Sequence, residues 1–180
     1  MMAKLIDLNQ YRMTQICDRA FKGWRKRFGG SYTPGTRFSD LDSATIRILA
    51  EPGENSAFIF YELIMGILNL GQGYQFDTLR PEARLKVVDI HFFLADLVRY
   101  ELMTRIAWIE TYTGSDQPLI ELVSAYDASD YTRFTDPPPL SAKHPLYSVF
   151  SQKINREKDV MIRQLFRDAL TVFKTTYNLP

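Results

Sequence analysis

The sequence predicts an all-α protein: a bundle of about six helices with long central members and one long proline-containing loop. Three observations carry that prediction. Apolar residues recur at spacings of three and four through most of the chain, no segment alternates apolar and polar residues over a convincing length, and Gly/Pro clusters punctuate the periodic segments. With 180 residues the chain suits one domain with a proper core and is too short for two large ones, so residues 1–180 are read as a single helical domain.

The first helix is expected from Lys4 to Phe28, with Met13, Ile16, Ala20, Trp24 and Phe28 on its apolar stripe and Gly29 and Gly30 as the stop. "SDLDSATIRILAEPG" reads as a short second helix capped by Ser39 or Asp40 and ended by Pro52 and Gly53. The third is "AFIFYELIMGILNL", Ala57 to Leu70. A bilayer-crossing helix needs about 20 apolar residues, so this shorter run, broken by Glu62 and Asn69, reads as a core helix. Its polar residues Asn55, Glu62, Gly66 and Asn69 fall on one stripe.

Pro81 and Glu82 suit the first turn of a fourth helix, expected to continue to Tyr112, before Gly114. A fifth, short helix from about Pro118 places Leu119, Leu122, Val123 and Tyr126 together. Asp127 to Pro145 has no usable period and contains Pro137, Pro138 and Pro139, so it reads as a loop. The last helical stretch, from Pro145 to Tyr177, is either continuous or interrupted near Gln152.

Charge selects no partner class. Lysine and arginine number 22 against 21 acidic residues, leaving no field to collect nucleic acid or an anionic membrane. One cysteine, Cys17, excludes an intrachain disulfide and fits a reducing compartment. Asp7, Asn9 and Gln10 interrupt the place where a signal peptide needs apolar residues, so cytoplasmic residence is the expectation.

Projected at about 100° per residue, the fourth helix puts Glu82, Lys86, Asp89, Asp96, Tyr100, Thr104 and Thr111 on one narrow stripe, its expected solvent edge. His91 lies opposite, in line with Val98, Leu102 and Ile109, and Arg105 is close to that line. Glu101 stands four residues before Arg105, the favoured order for a helical ion pair. The plain reading of His91 is a core histidine whose ring nitrogens find partners, and of Glu101 with Arg105 a structural pair. The sharper reading is a ligand pocket around His91, Glu101 and Arg105, with Glu62 of the third helix as a further polar group; Ala95, one turn on, leaves a notch beside the ring.

Other chemistry is sparse. His91 and His144 have no Asp, Glu or His three or four residues away, so the Glu-x-x-His pattern of helical metal sites is missing and neither a metal nor a cofactor is expected. Cys17 falls on an apolar face, as an inert buried thiol does. "GQG" at Gly71 to Gly73 follows a helix where a dinucleotide fingerprint needs a strand. "KGWRKRF", Lys22 to Phe28, pairs cations with aromatics. Because Trp24 and Phe28 continue the core stripe and the cations complement a helix end, it reads as structural rather than as a nucleic-acid site.

Two functional readings follow. The first is a non-enzymatic protein that associates with itself and contacts a protein partner, because the wide apolar sectors of the third and fourth helices ask for cover. Its contact segment would be the proline-rich loop, with Tyr131, Phe134, Pro137, Pro138 and Pro139, unless that loop simply wraps the bundle. The second is the small-molecule-binding or catalytic bundle with the pocket just named.

Overall fold

The computed structural model describes residues 7–128 and 136–180, and among them every regular element is a helix. α1 (Leu8–Ala20) starts where the Asp7 carboxylate accepts the amides of Asn9 at 3.0 Å and Gln10 at 3.3 Å, as N-capping aspartates do. The single first helix expected from periodicity is in fact two. Phe21 leaves helical geometry at φ −95°, ψ 7°, and α2 (Lys22–Phe28) follows. The Phe21 ring is fully buried and stacks on Tyr32 at 4.8 Å, so tertiary aromatic packing fixes a bend that apolar spacing does not record.

α3 (Ser43–Ala50) is capped by Asp42, which accepts the Thr45 amide at 2.8 Å. The expected caps lie earlier: Ser39 and Asp40 belong to a 3-10 turn, where Asp40 accepts the Arg37 amide at 2.8 Å. α4 (Glu54–Ile67) is the central helix; Ile59, Phe60, Leu63, Ile64 and Met65 are completely buried. α1 crosses it so closely that a Cβ on Gly66 would stand 2.6 Å from Ala20 Cα. The other sides are covered by α3, α5 (Pro81–Arg105) and α6 (Leu119–Ala128). One chain therefore covers the apolar sector of α4.

α5 ends at Arg105 rather than at Tyr112. Ala107 adopts the left-handed φ of 58°, and the amides of Ala107 and Trp108 turn back to the carbonyls of Thr104 and Met103 at 2.9 and 3.0 Å, closing the helix. The freed segment lets Ile109 pair with Leu140 in an isolated antiparallel bridge. The last stretch is interrupted at residues 152–154, between α7 (Tyr147–Ser151) and α8 (Asn155–Thr176).

Docking of α8 on α5 changes the expected solvent edge. Asp96 is mostly buried: Arg163 of α8 reaches its two carboxylate oxygens at 3.1 and 2.9 Å, while Asp159 holds the Arg163 Nε at 3.0 Å. Tyr100, one turn on, is covered too, and burial pushes its phenol up to about 12. Lys86 and Asp89 remain exposed, together with the apolar Leu85 and Phe92, each 62% exposed.

Candidate functional site

The expected ligand residues separate into three environments. Glu101 and Arg105 form a closed structural network: Arg105 Nε donates to Glu101 Oε1 at 2.8 Å, and its Nη2 donates to the carbonyls of Phe38 and Ser39 at 3.1 and 3.3 Å. Both glutamate oxygens are engaged, the second by Tyr112. His91 stands ten residues earlier on the same helix, roughly 15 Å along the axis at 1.5 Å per residue, so the structure does not bring the three together. Its ring sits among Phe60, Tyr61 and Phe92 at 5.6, 5.4 and 5.2 Å, with Nδ1 buried and lacking a hydrogen bond. Burial, then the positive charge of Arg99, holds its pKa below the ordinary value.

Of the loop residues, Tyr131 and Phe134 lie outside the described residues. Pro138 is buried, Pro137 half-buried and Pro139 exposed. The Pro139 carbonyl accepts the Glu110 amide at 3.4 Å, and the Ser141 amide donates to the Trp108 carbonyl at 2.8 Å, so this part of the loop lies against the segment that follows α5. The three prolines line a cavity of about 230 Å³ with Asp96, Tyr100 and Arg163.

Glu62 is different. It forms the floor of a cleft of about 510 Å³, bounded on one side by the α1–α2 bend and on the other by the turn after α4. The local sequence builds this floor. Asn69 at φ 55° and Gly71 at φ 100° turn the chain sharply once α4 has ended, and the Gln72 amide is held by the Gln75 side chain at 2.9 Å. That turn returns Gly73 against the Glu62 side chain, where a Cβ would lie 2.6 Å from Glu62 Cγ. From the opposite wall, a Cβ on Gly23 would lie 2.6–2.8 Å from the carboxylate. Glu62 thus spans the gap between two glycines whose missing side chains make its position possible.

The charge around it is lopsided. Arg19, Lys22 and Lys26 border the cleft, and Arg27 Nη2 approaches Glu62 Oε2 at 3.6 Å, too long for a good hydrogen bond. Lys22 and Lys26 are exposed and make no ion pair among the described residues. Arg19 is partly tied down, donating to the Gly66 carbonyl at 3.3 Å. The Oε2 atom is buried, with the Arg27 guanidinium at 3.6 Å as its ion-pair partner and no hydrogen bond; the carboxylate as a whole is partly exposed and makes no hydrogen bond, so a donor from a bound molecule has an acceptor there.

The remaining candidates from "KGWRKRF" behave structurally. The Trp24 indole is fully buried and donates to the Ile59 carbonyl at 2.9 Å, and Arg25 pairs with Asp18 at 3.2 Å. Cys17 is buried against the Tyr32 carbonyl at 3.6 Å, and burial pushes its thiol up, away from the reactive thiolate. Among the described residues no group of three or more His, Cys, Asp or Glu is placed to hold a metal ion, and no helix is long and apolar enough to cross a membrane. Sequence reasoning singled out Glu62 but not Arg19, Lys22, Gly23, Lys26 or Gly73 as its company; the basic run and the "GQG" turn were each visible, separately. Compared with known proteins, the chain matches no family model, no curated protein and no solved structure.

Proposed function

We propose that this chain is a non-enzymatic helical protein that holds a small polar molecule in the Glu62 cleft. One observation carries the reading: a partly exposed carboxylate that makes no hydrogen bond and has only Arg27, at 3.6 Å, as its ion-pair partner, in a roomy cleft whose lining cations make no ion pair among the described residues. The reading is tested by thermal unfolding of the full chain with inorganic phosphate, simple carboxylates, free amino acids, aliphatic amines and neutral sugars in turn. A compound that occupies the cleft raises the midpoint with its concentration. The Gly23→Ala chain, whose methyl displaces the Glu62 carboxylate, should lose that rise. No rise with any compound, or an equal rise in Gly23→Ala, removes the reading.

A second reading, self-association through protein contacts, draws on a different observation. Leu146, Val149, Ile154 and Val160 are 41–67% exposed along α7 and α8, and three of them border an open groove between these helices. Since α4 is covered within the chain, this edge is the better place for a second copy. Light scattering behind gel filtration, at micromolar concentration, should then give at least twice 20.9 kDa, falling to the monomer mass on Val149→Glu with Val160→Glu. A wild-type monomer ends that reading.

A further inference from the structure

Resting on the reading of the Glu62 cleft as a ligand site, we infer the chemical class of its ligand: a compact anion, phosphoryl or carboxylate, that also carries an N–H or O–H donor. The two halves of that description come from different walls. The cation wall calls for an anion. Arg19, Lys22 and Lys26 line the cleft with a single carboxylate, Glu62, which Arg27 already approaches at 3.6 Å, and the excess positive charge is stabilised by a bound negative group more than by a neutral one. Lys22 and Lys26 are long, flexible point charges with free ammonium groups, suited to following an anion at the cleft mouth.

The floor calls for a donor. An anion alone would be repelled by Glu62, whose carboxylate can only accept hydrogen bonds when ionised. Its nearest cation, Arg27, stands at 3.6 Å and leaves Oε2 without a hydrogen bond. A ligand N–H or O–H directed at this carboxylate converts a repulsive floor into a charge-assisted contact. Gly23 lies against the carboxylate and Gly73 against the Cγ of the same side chain, so the acceptor is confined before the ligand arrives. A molecule with both groups satisfies both walls; one with either group alone satisfies one and offends the other.

Calorimetric titration of the full chain at low ionic strength tests this with five probes. O-phosphoethanolamine and β-alanine carry anion and donor, methyl phosphate and acetate carry the anion alone, and ethanolamine carries the donor alone. Each two-group probe should bind about ten-fold more tightly than its matched anion, the size of one charge-assisted hydrogen bond. Whichever two-group probe binds more tightly identifies the anion as phosphoryl or carboxylate. Glu62→Gln and Gly23→Ala should each bring the members of a pair within about two-fold, while Lys22→Ala with Lys26→Ala should weaken both members by a similar factor. Circular dichroism melts confirm that each variant is folded. Equal binding within both pairs in the wild type, or an advantage that survives in folded Glu62→Gln, overturns the ligand class. Tightest binding by ethanolamine, lost in Gly23→Ala, overturns the class while leaving the cleft a ligand site. No saturable binding by any probe overturns the class, and the cleft itself falls only if the wider thermal screen is silent too.

Discussion

Tyr112 donates its phenolic hydrogen to Glu101 Oε2 at 2.8 Å, on the far side of the carboxylate from Arg105, and both residues are more than nine-tenths buried. The contact pins the segment after α5 to the helix it has just left. Tyr112→Phe would keep the ring and strand the carboxylate oxygen, so urea unfolding at neutral pH should show a loss of about 1–3 kcal/mol. Burial, reinforced by the Glu101 charge, raises the Tyr112 phenol well above its ordinary value of 10. A group protonated in the folded state and ionised in the unfolded one contributes stability that is intact below pH 10 and wanes above it. The gap between wild type and Tyr112→Phe should therefore narrow on the alkaline side.

His91 gives a dependence of the opposite sign at the acid end. Its folded pKa lies below the ordinary 6.5, so the unfolded chain takes up a proton that the folded chain refuses, and stability should fall as pH drops below 6.5. His144 is shifted the same way by partial burial and contributes to the slope. An NMR titration should place the His91 midpoint below 6.5, and His91→Phe should flatten the slope of stability between neutral pH and pH 5. A midpoint at or above 6.5 would place the ring in contact with solvent or a carboxylate.

Gly66 should be the least replaceable glycine of the α1–α4 crossing. An alanine methyl there meets Ala20 backbone, not a movable side chain, and overpacking of that kind costs roughly 1–3 kcal/mol. Gly23→Ala, whose methyl meets only the end of the Glu62 side chain, should cost less in the same thermal melt. The ordering of the two variants checks whether the cleft is built on a rigid crossing.

The proline run should prove structural where it is described. Pro138 is buried, and Leu140, two residues on, is 1% exposed beside its bridge to Ile109. Replacing Pro137, Pro138 and Pro139 together by alanine should lower the unfolding midpoint, through lost packing and a freer unfolded chain. An unchanged midpoint would return the segment to the role of a contact loop.

Which of these features could be read from the chain follows from how locally each is determined. The helical class, the buried α4 and the proline-marked start of α5 rest on apolar spacing and on Pro81, all short-range signals. The bend at Phe21, the end of α5 at Arg105 and the capture of Asp96 by Arg163 depend on residues distant in sequence or on a left-handed alanine that composition does not mark. The cleft is the clearest case. Glu62, the basic run from Lys22 and the "GQG" turn were each legible and each had a plain explanation. What joins them is a helix crossing that only the folded chain displays.

The chain's one thiol offers a way to time that crossing. Cys17 lies on α1 beneath the Tyr32 carbonyl, three residues before the Ala20 contact with Gly66, and is 2% exposed. An alkylating reagent can reach it only when α1 parts from its surroundings, so the labelling rate of the native protein is a stopwatch on local opening. A molecule that bridges α1–α2 to the floor of the cleft would slow that clock without touching the sulfur.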